Sequence, residues 1–98
     1  MQNVDIISDN EEINKEIEEL SSLIDTKPSA ILFIKRGDLL KKIHEFGKAL
    51  GNYKSALKLD PDSTIAATKV EMTENILSIE NTFYYENAYT DEFLFPEL

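Results

Sequence analysis

The feature that most constrains the fold is the stretch 30–63, in which apolar residues recur every three or four positions. This spacing predicts two amphipathic helices, because residues three and four apart lie on one face of a helix. Asp60-Pro61 predicts the end of the second helix, since proline disfavours helical geometry in the residue before it. With similar periodicity on either side, the sequence predicts an all-α fold of antiparallel neighbouring helices. The predicted helices cover residues 10–25, 29–43, 46–59 and 63–80.

Small residues inside the two central helices indicate how these helices pack together more specifically than the periodicity does. Gly37 lies in the middle of the first helix, where glycine costs about 1 kcal/mol relative to alanine. Ala49 and Ala56 lie seven positions apart on the apolar stripe of the second helix. We therefore expect the two helices to approach closely at these small residues, with aromatic side chains filling the surrounding space.

With these residues the stretch 30–63 resembles one tetratricopeptide repeat, a helix–turn–helix unit of about 34 residues. The resemblance rests on large, small and turn residues at the positions that the family prefers, which are Phe33, Gly37, Leu40, Phe46, Ala49, Tyr53, Ala56 and Pro61. Two residues depart from the pattern: Arg36 stands where leucine is usual, and His44 where the inter-helix turn often has glycine. The resemblance implies a single repeat between an N-terminal flanking helix and a C-terminal capping helix.

Protein binding is the function that this resemblance implies. In the family, first-helix residues line most of the concave face that holds a partner. The corresponding residues here are Ile31, Ile34, Asp38, Lys41 and Lys42. Ile34 and Asp38 stand where the chaperone-binding variety has a lysine and an asparagine, so we do not expect a chaperone clamp. The mixture of apolar and basic residues suits an extended segment with aromatic and acidic residues.

Charge is unevenly distributed along the 98 residues, which carry a net charge of −9. Segment 1–25 holds eight acids and one base, 26–69 holds four acids and nine bases, and 70–98 holds seven acids and no base. The overall charge argues against nonspecific binding to nucleic acid or to an anionic membrane. Two interpretations of the asymmetry stay open: the acidic ends pack on the basic middle, or the charges are solvated helix faces.

Residue sets typical of catalysis or metal binding are missing from the sequence. The chain has no cysteine and a single histidine, His44, which we interpret as structural. It has no phosphate-binding glycine loop and no GxSxG, and the segment after Asp60 does not complete a calcium loop. We therefore expect no enzyme, metal or cofactor. No signal peptide or membrane-spanning run is recognisable, so we expect a cytoplasmic protein or a fragment of a longer chain.

The predicted organisation is a disordered N-terminus at 1–9, a helical domain at 10–80 and an acidic aromatic tail at 81–98. The tail holds six of the nine aromatic residues, whereas disordered segments are usually poor in them. We therefore expect the tail to dock. It either extends the last helix and completes its own core, or it binds a partner or a second copy of the chain.

Two functions stay open from the sequence. The first is a protein–protein interaction module, a scaffold or adaptor whose groove binds a peptide or helix of another protein. It predicts that binding is lost when Ile34 or Lys41 is changed. The second is a small acidic regulator or inhibitor, in the manner of immunity or antitoxin proteins, that neutralises a basic partner. It predicts strong salt dependence and loss of binding when Glu16, Glu18 and Glu19, or the acids of the tail 81–98, are neutralised.

Overall fold

Four α-helices form the part of the chain that the computed structural model describes, residues 2–94 for the backbone and 10–80 for the side chains. They are α1 (Gln2–Thr26), α2 (Ala30–Lys42), α3 (Phe46–Leu59) and α4 (Thr64–Leu94). No β-strand occurs within residues 2–94. The predicted all-α fold is therefore confirmed, and α2 and α3 lie close to their predicted bounds.

The two outer helices are longer than the sequence predicted. α1 begins at Gln2 rather than near Asn10, and α4 continues to Leu94 rather than ending near Glu80. Neither extension contains the glycine or proline that would stop a helix. The side chains of 81–94 and all of 95–98 lie outside the described residues. The docking of the tail, like the division into 1–9, 10–80 and 81–98, therefore stays a prediction.

Serine side chains cap the starts of α2 and α4. The Oγ of Ser29 accepts a hydrogen bond from the backbone N–H of Leu32 at 3.2 Å, and the Oγ of Ser63 accepts one from Ala66 at 3.1 Å. Each bond satisfies one of the backbone donors that a helix leaves unpaired at its N-terminus.

A tight turn at His44 reverses the chain between α2 and α3. The N–H of His44 donates to the carbonyl of Lys41 at 2.9 Å, and the N–H of Glu45 donates to that of Leu40 at 2.9 Å. This pair of hydrogen bonds is typical of a helix C-terminus that ends with a residue in the left-handed conformation, which for α2 is His44. His44 has a φ of 64°, the one positive φ of a non-glycine residue in the described backbone. His44 therefore occupies the position where glycine is favoured.

The core is centred on Tyr53 and receives side chains from all four helices. Buried Leu40 of α2 and Ala49 and Tyr53 of α3 form its middle, and half-buried apolar residues pack against it. These residues are Ile17, Ile34, Ile43 and Val70. Gly37 presents its backbone to the Tyr53 ring, which confirms the close approach of α2 and α3 predicted from the small residues. Because the tight turn at His44 reverses the chain and Gly37 then faces Tyr53, α2 and α3 run antiparallel.

Candidate partner-binding groove

A groove of about 440 Å³ lies between α1 and α2. Both helices line it with charged and leucine side chains, which are Glu16, Glu19, Leu20 and Leu23 from α1 and Lys35, Asp38, Leu39 and Lys42 from α2. Spacings of three and four positions recur in both sets, so each set lies on one face of its helix. Leu20 and Leu39 are half-buried. Leu23 is 54% exposed, so the groove offers apolar surface that the protein itself leaves uncovered.

Opposite charges line the two walls of the groove. Glu16 and Glu19 are exposed on the α1 wall, and Lys35 and Lys42 are exposed on the α2 wall. The ion pairs found among the described residues involve none of these four groups. Since the leucines Leu20 and Leu39 are less exposed than the charged groups, the groove has an apolar interior between an acidic and a basic rim.

Asp38, the fifth charged residue of the groove, is fixed by bonds to the other helices. Its Oδ1 accepts hydrogen bonds from the hydroxyl of Tyr53 and, at 3.0 Å, from the Nζ of Lys69. The Lys69 ammonium also lies 5.6 Å from the centroid of the Tyr53 ring. Burial of the phenol, followed by its hydrogen bond to Asp38 and the negative charge there, raises the pKa of Tyr53. Asp38 therefore ties α2 to α3 and α4 instead of projecting freely into the groove.

Arg36 joins the two groove walls to α3. Its Nε donates to Oδ1 of Asn52 at 2.6 Å, and its Nη1 donates to the Oγ of Ser21 at 3.0 Å. Both partners are held in turn by hydrogen bonds to helix carbonyls. The guanidinium carbon lies 5.4 Å from the ring centroid of Phe33, within the range of a cation–π interaction. The departure from the repeat pattern at Arg36 thus has a structural role, since this residue holds α1 in place against α2.

The five residues assigned to a groove by the resemblance lie in different surroundings. Asp38 and Lys42 line the groove between α1 and α2. Ile34 packs against the core, and Lys41 is half-buried. Ile31 is 66% exposed but lies outside the groove lining. The structure thus brings only Asp38 and Lys42 together in this groove.

Sequence reasoning missed the α1 wall and part of the α2 wall. The missed residues are Leu20, Leu23, Lys35 and Leu39, whereas Glu16 and Glu19 were named only as acids that would hold a basic partner. A usable signal was the apolar stripe of α1, on which both Leu20 and Leu23 lie. Ile24 is buried, whereas the adjacent Leu23 remains half in solvent. The edge of the stripe at Leu23 is therefore uncovered.

The residues that carry the repeat resemblance are packing and turn positions. Five are buried, Phe33 and Phe46 are half-buried, and Pro61 is exposed in the turn after α3. The buried five are Gly37, Leu40, Ala49, Tyr53 and Ala56. None of the eight lines the groove. They therefore shape the scaffold, while other residues provide the groove surface.

The described residues include no group of three or more His, Asp or Glu side chains placed to hold a metal ion. No helix among them is both long enough and apolar enough to cross a membrane.

Comparison of the chain with protein-family models, curated proteins and solved structures finds no match. The tetratricopeptide resemblance stays a prediction that rests on residues 30–63.

Proposed function

We propose that the protein is a protein–protein interaction module. It acts in the cytoplasm as a scaffold or adaptor without enzymatic activity, and its fold resembles a tetratricopeptide repeat. Its groove between α1 and α2 binds a peptide or a helix of another protein. The supporting observation is the groove itself, in which uncovered leucine surface lies between two rims of exposed charge. Protein interfaces combine these features, since apolar contacts supply binding free energy and rim charges select and orient the partner.

The hydrogen bonds around the groove also support this proposal. Arg36 connects α1 to α2 and α3, and Asp38 connects α2 to α3 and α4. A surface held in place before binding loses less conformational entropy when the partner arrives. The groove therefore has the rigidity that a recognition surface needs.

Selection from a displayed peptide library, with the full chain as the target, tests the proposal. Leu23→Glu places a charge on the apolar part of the groove. Leu59→Glu is its matched control, because Leu59 is 51% exposed, near the 54% of Leu23, and lies at the end of α3 outside the groove. Circular dichroism verifies that both variants keep their helical content.

We expect the selected peptides to bind Leu23→Glu at least about tenfold more weakly than the unaltered chain, since burial of a leucine contributes about 1.5–3 kcal/mol. Their affinity for Leu59→Glu should be unchanged. Equal affinity for the two variants would contradict binding in the groove.

The acidic regulator is a second candidate, favoured by the surface of α1. All six acids among its described residues are exposed, and Lys15 is the one base beside them. The acids are Glu11, Glu12, Glu16, Glu18, Glu19 and Asp25. A basic partner held by this surface should dissociate with rising salt and should bind weakly to a Glu11→Gln/Glu12→Gln/Glu18→Gln variant. A groove-bound peptide should tolerate these changes, because the three residues lie outside the groove.

A further inference from the structure

We infer that the occupant of the groove is an amphipathic α-helix whose apolar stripe is flanked by acids on one side and by bases on the other. This inference rests on the proposed function, since it names the kind of partner that the groove binds. It follows from the charges on the two walls, from their spacing and from the helical nature of the walls.

The charges define the two flanks of the partner helix. An acidic flank would face Lys35 and Lys42 on α2, and a basic flank would face Glu16 and Glu19 on α1. All four side chains are exposed and take part in none of the ion pairs found among the described residues, so they are available for such contacts. A partner with acids on both flanks would meet the glutamates of α1, and one with bases on both flanks would meet the lysines of α2. Like-charge contacts of this kind disfavour the wrong partners.

The spacing of the lysines matches a helix that lies along the groove. Lys35 and Lys42 are seven positions apart, which corresponds to about 10.5 Å along a helix axis. Acids seven positions apart on the partner would therefore meet both lysines. Glu16 and Glu19 are three positions apart, so bases three or four positions apart on the other flank would meet them. Leu20 and Leu23 have the same spacing, which lets side chains of a third helix pack between them.

The helical walls favour a helix over an extended segment. An extended segment bound to a β-sheet gains main-chain hydrogen bonds from an exposed sheet edge. The walls here are α1 and α2, in which the backbone groups are already paired within each helix. A helix satisfies its own backbone groups and presents only side chains, so it loses no main-chain hydrogen bonds in this groove.

Three synthetic peptides of about three heptads test the inference against the full-length chain. All carry leucine at the first and fourth positions of each heptad. One has glutamate on one flank and lysine on the other, one has glutamate on both flanks, and one has lysine on both. We expect the mixed peptide to bind at least about tenfold more tightly than the other two at low ionic strength. Its helical circular dichroism signal should increase on binding.

Charge reversal on one wall should switch this preference. Lys35→Glu/Lys42→Glu makes both walls acidic and should prefer the peptide with lysine on both flanks. Glu16→Lys/Glu19→Lys should prefer the peptide with glutamate on both flanks. Lys48→Glu/Lys58→Glu is the matched control, since it changes the net charge equally at exposed sites outside the groove. This control should keep the preference for the mixed peptide.

The outcomes separate this inference from the proposed function. Equal binding of all three peptides, or no switch of preference on charge reversal, would overturn the helical, charge-matched partner. If library peptides depend on Leu23 but gain no helical signal when bound, the groove binds a different kind of segment. In that case the inference fails and the proposed function stands. If Leu23→Glu changes the affinity of neither the library peptides nor the synthetic peptides, both this inference and the proposed function fail.

Discussion

Gly37 lies so close to the ring of Tyr53 that a Cβ atom on Gly37 would be 2.6 Å from Cε1 and 2.9 Å from Cδ1 of that ring. Tyr53 is fully buried, and its hydroxyl donates a hydrogen bond to Asp38. The ring is therefore held at both its face and its hydroxyl. The small residue of α2 and the large residue of α3 form one packing unit, which sets how closely the two helices approach.

We expect Gly37→Ala to destabilise the protein by about 1–3 kcal/mol through overpacking against Tyr53. The sign of the change in unfolding free energy distinguishes two effects. Overpacking destabilises the protein, whereas the higher helix propensity of alanine alone would stabilise it by about 1 kcal/mol. Urea denaturation followed by circular dichroism measures the effect. A Gly37→Ala variant as stable as the unaltered chain would show that the Tyr53 ring has room to move.

Gly47 and Gly51 in α3 should respond in the opposite direction. Both are exposed, and a Cβ at either position would meet nothing within 4 Å. Gly47→Ala and Gly51→Ala should each stabilise the protein by about 0.5–1 kcal/mol, since alanine restricts the unfolded chain and favours the helix. The same urea experiment should show a higher midpoint with an unchanged slope. A lower midpoint would reveal a contact on the outer face of α3 that this structure does not contain.

Tyr53 should make stability fall at high pH. Its pKa is raised in the folded protein, chiefly by burial and then by Asp38, whereas the unfolded chain has the ordinary value near 10. The stability that Tyr53 contributes is therefore fully present below about pH 10 and is lost as pH rises toward the folded-state pKa. Unfolding free energies at pH 8 and pH 11 measure this loss. Tyr53→Phe should lose less stability over this interval, and an equal loss in both proteins would contradict the assignment.

His44→Gly should stabilise the protein by about 0.5–1 kcal/mol, because the left-handed conformation of His44 strains any residue that has a Cβ. Thermal unfolding measures the change, and His44→Ala serves as the control because alanine does not relieve the strain. A melting temperature of His44→Gly below that of the unaltered chain would mean that the imidazole contributes more than the backbone strain costs, and one no higher than that of His44→Ala would contradict the strain at this position.

The two central helices were predictable because their signals are local. Apolar spacing and Asp60-Pro61 specify helix limits within a few residues of sequence, and the structure confirms these limits to within one residue. Gly37 was predictable as a close contact because a mid-helix glycine is costly without a packing reason. The identity of its neighbour, Tyr53, required the antiparallel arrangement of α2 and α3.

The groove was not predictable in the same way because it depends on where α1 lies. Arg36 bonds to Ser21 and Asn52, which are 15 and 16 positions away in the sequence, and no local pattern indicates this connection. Ile34 was assigned to a groove because the tetratricopeptide resemblance places it among the first-helix residues that line the family's concave face. The packing of α2 against its neighbours places Ile34 at the core instead.

NMR chemical-shift mapping with a library-selected peptide tests most directly whether the groove between α1 and α2 binds the partner. We predict that the largest amide shifts on binding occur at Leu20, Leu23 and Leu39, with little change at Gly51 on the exposed face of α3. Shifts concentrated at Gly51, or at the exposed acids Glu11 and Glu12 with none in the groove, would contradict the account.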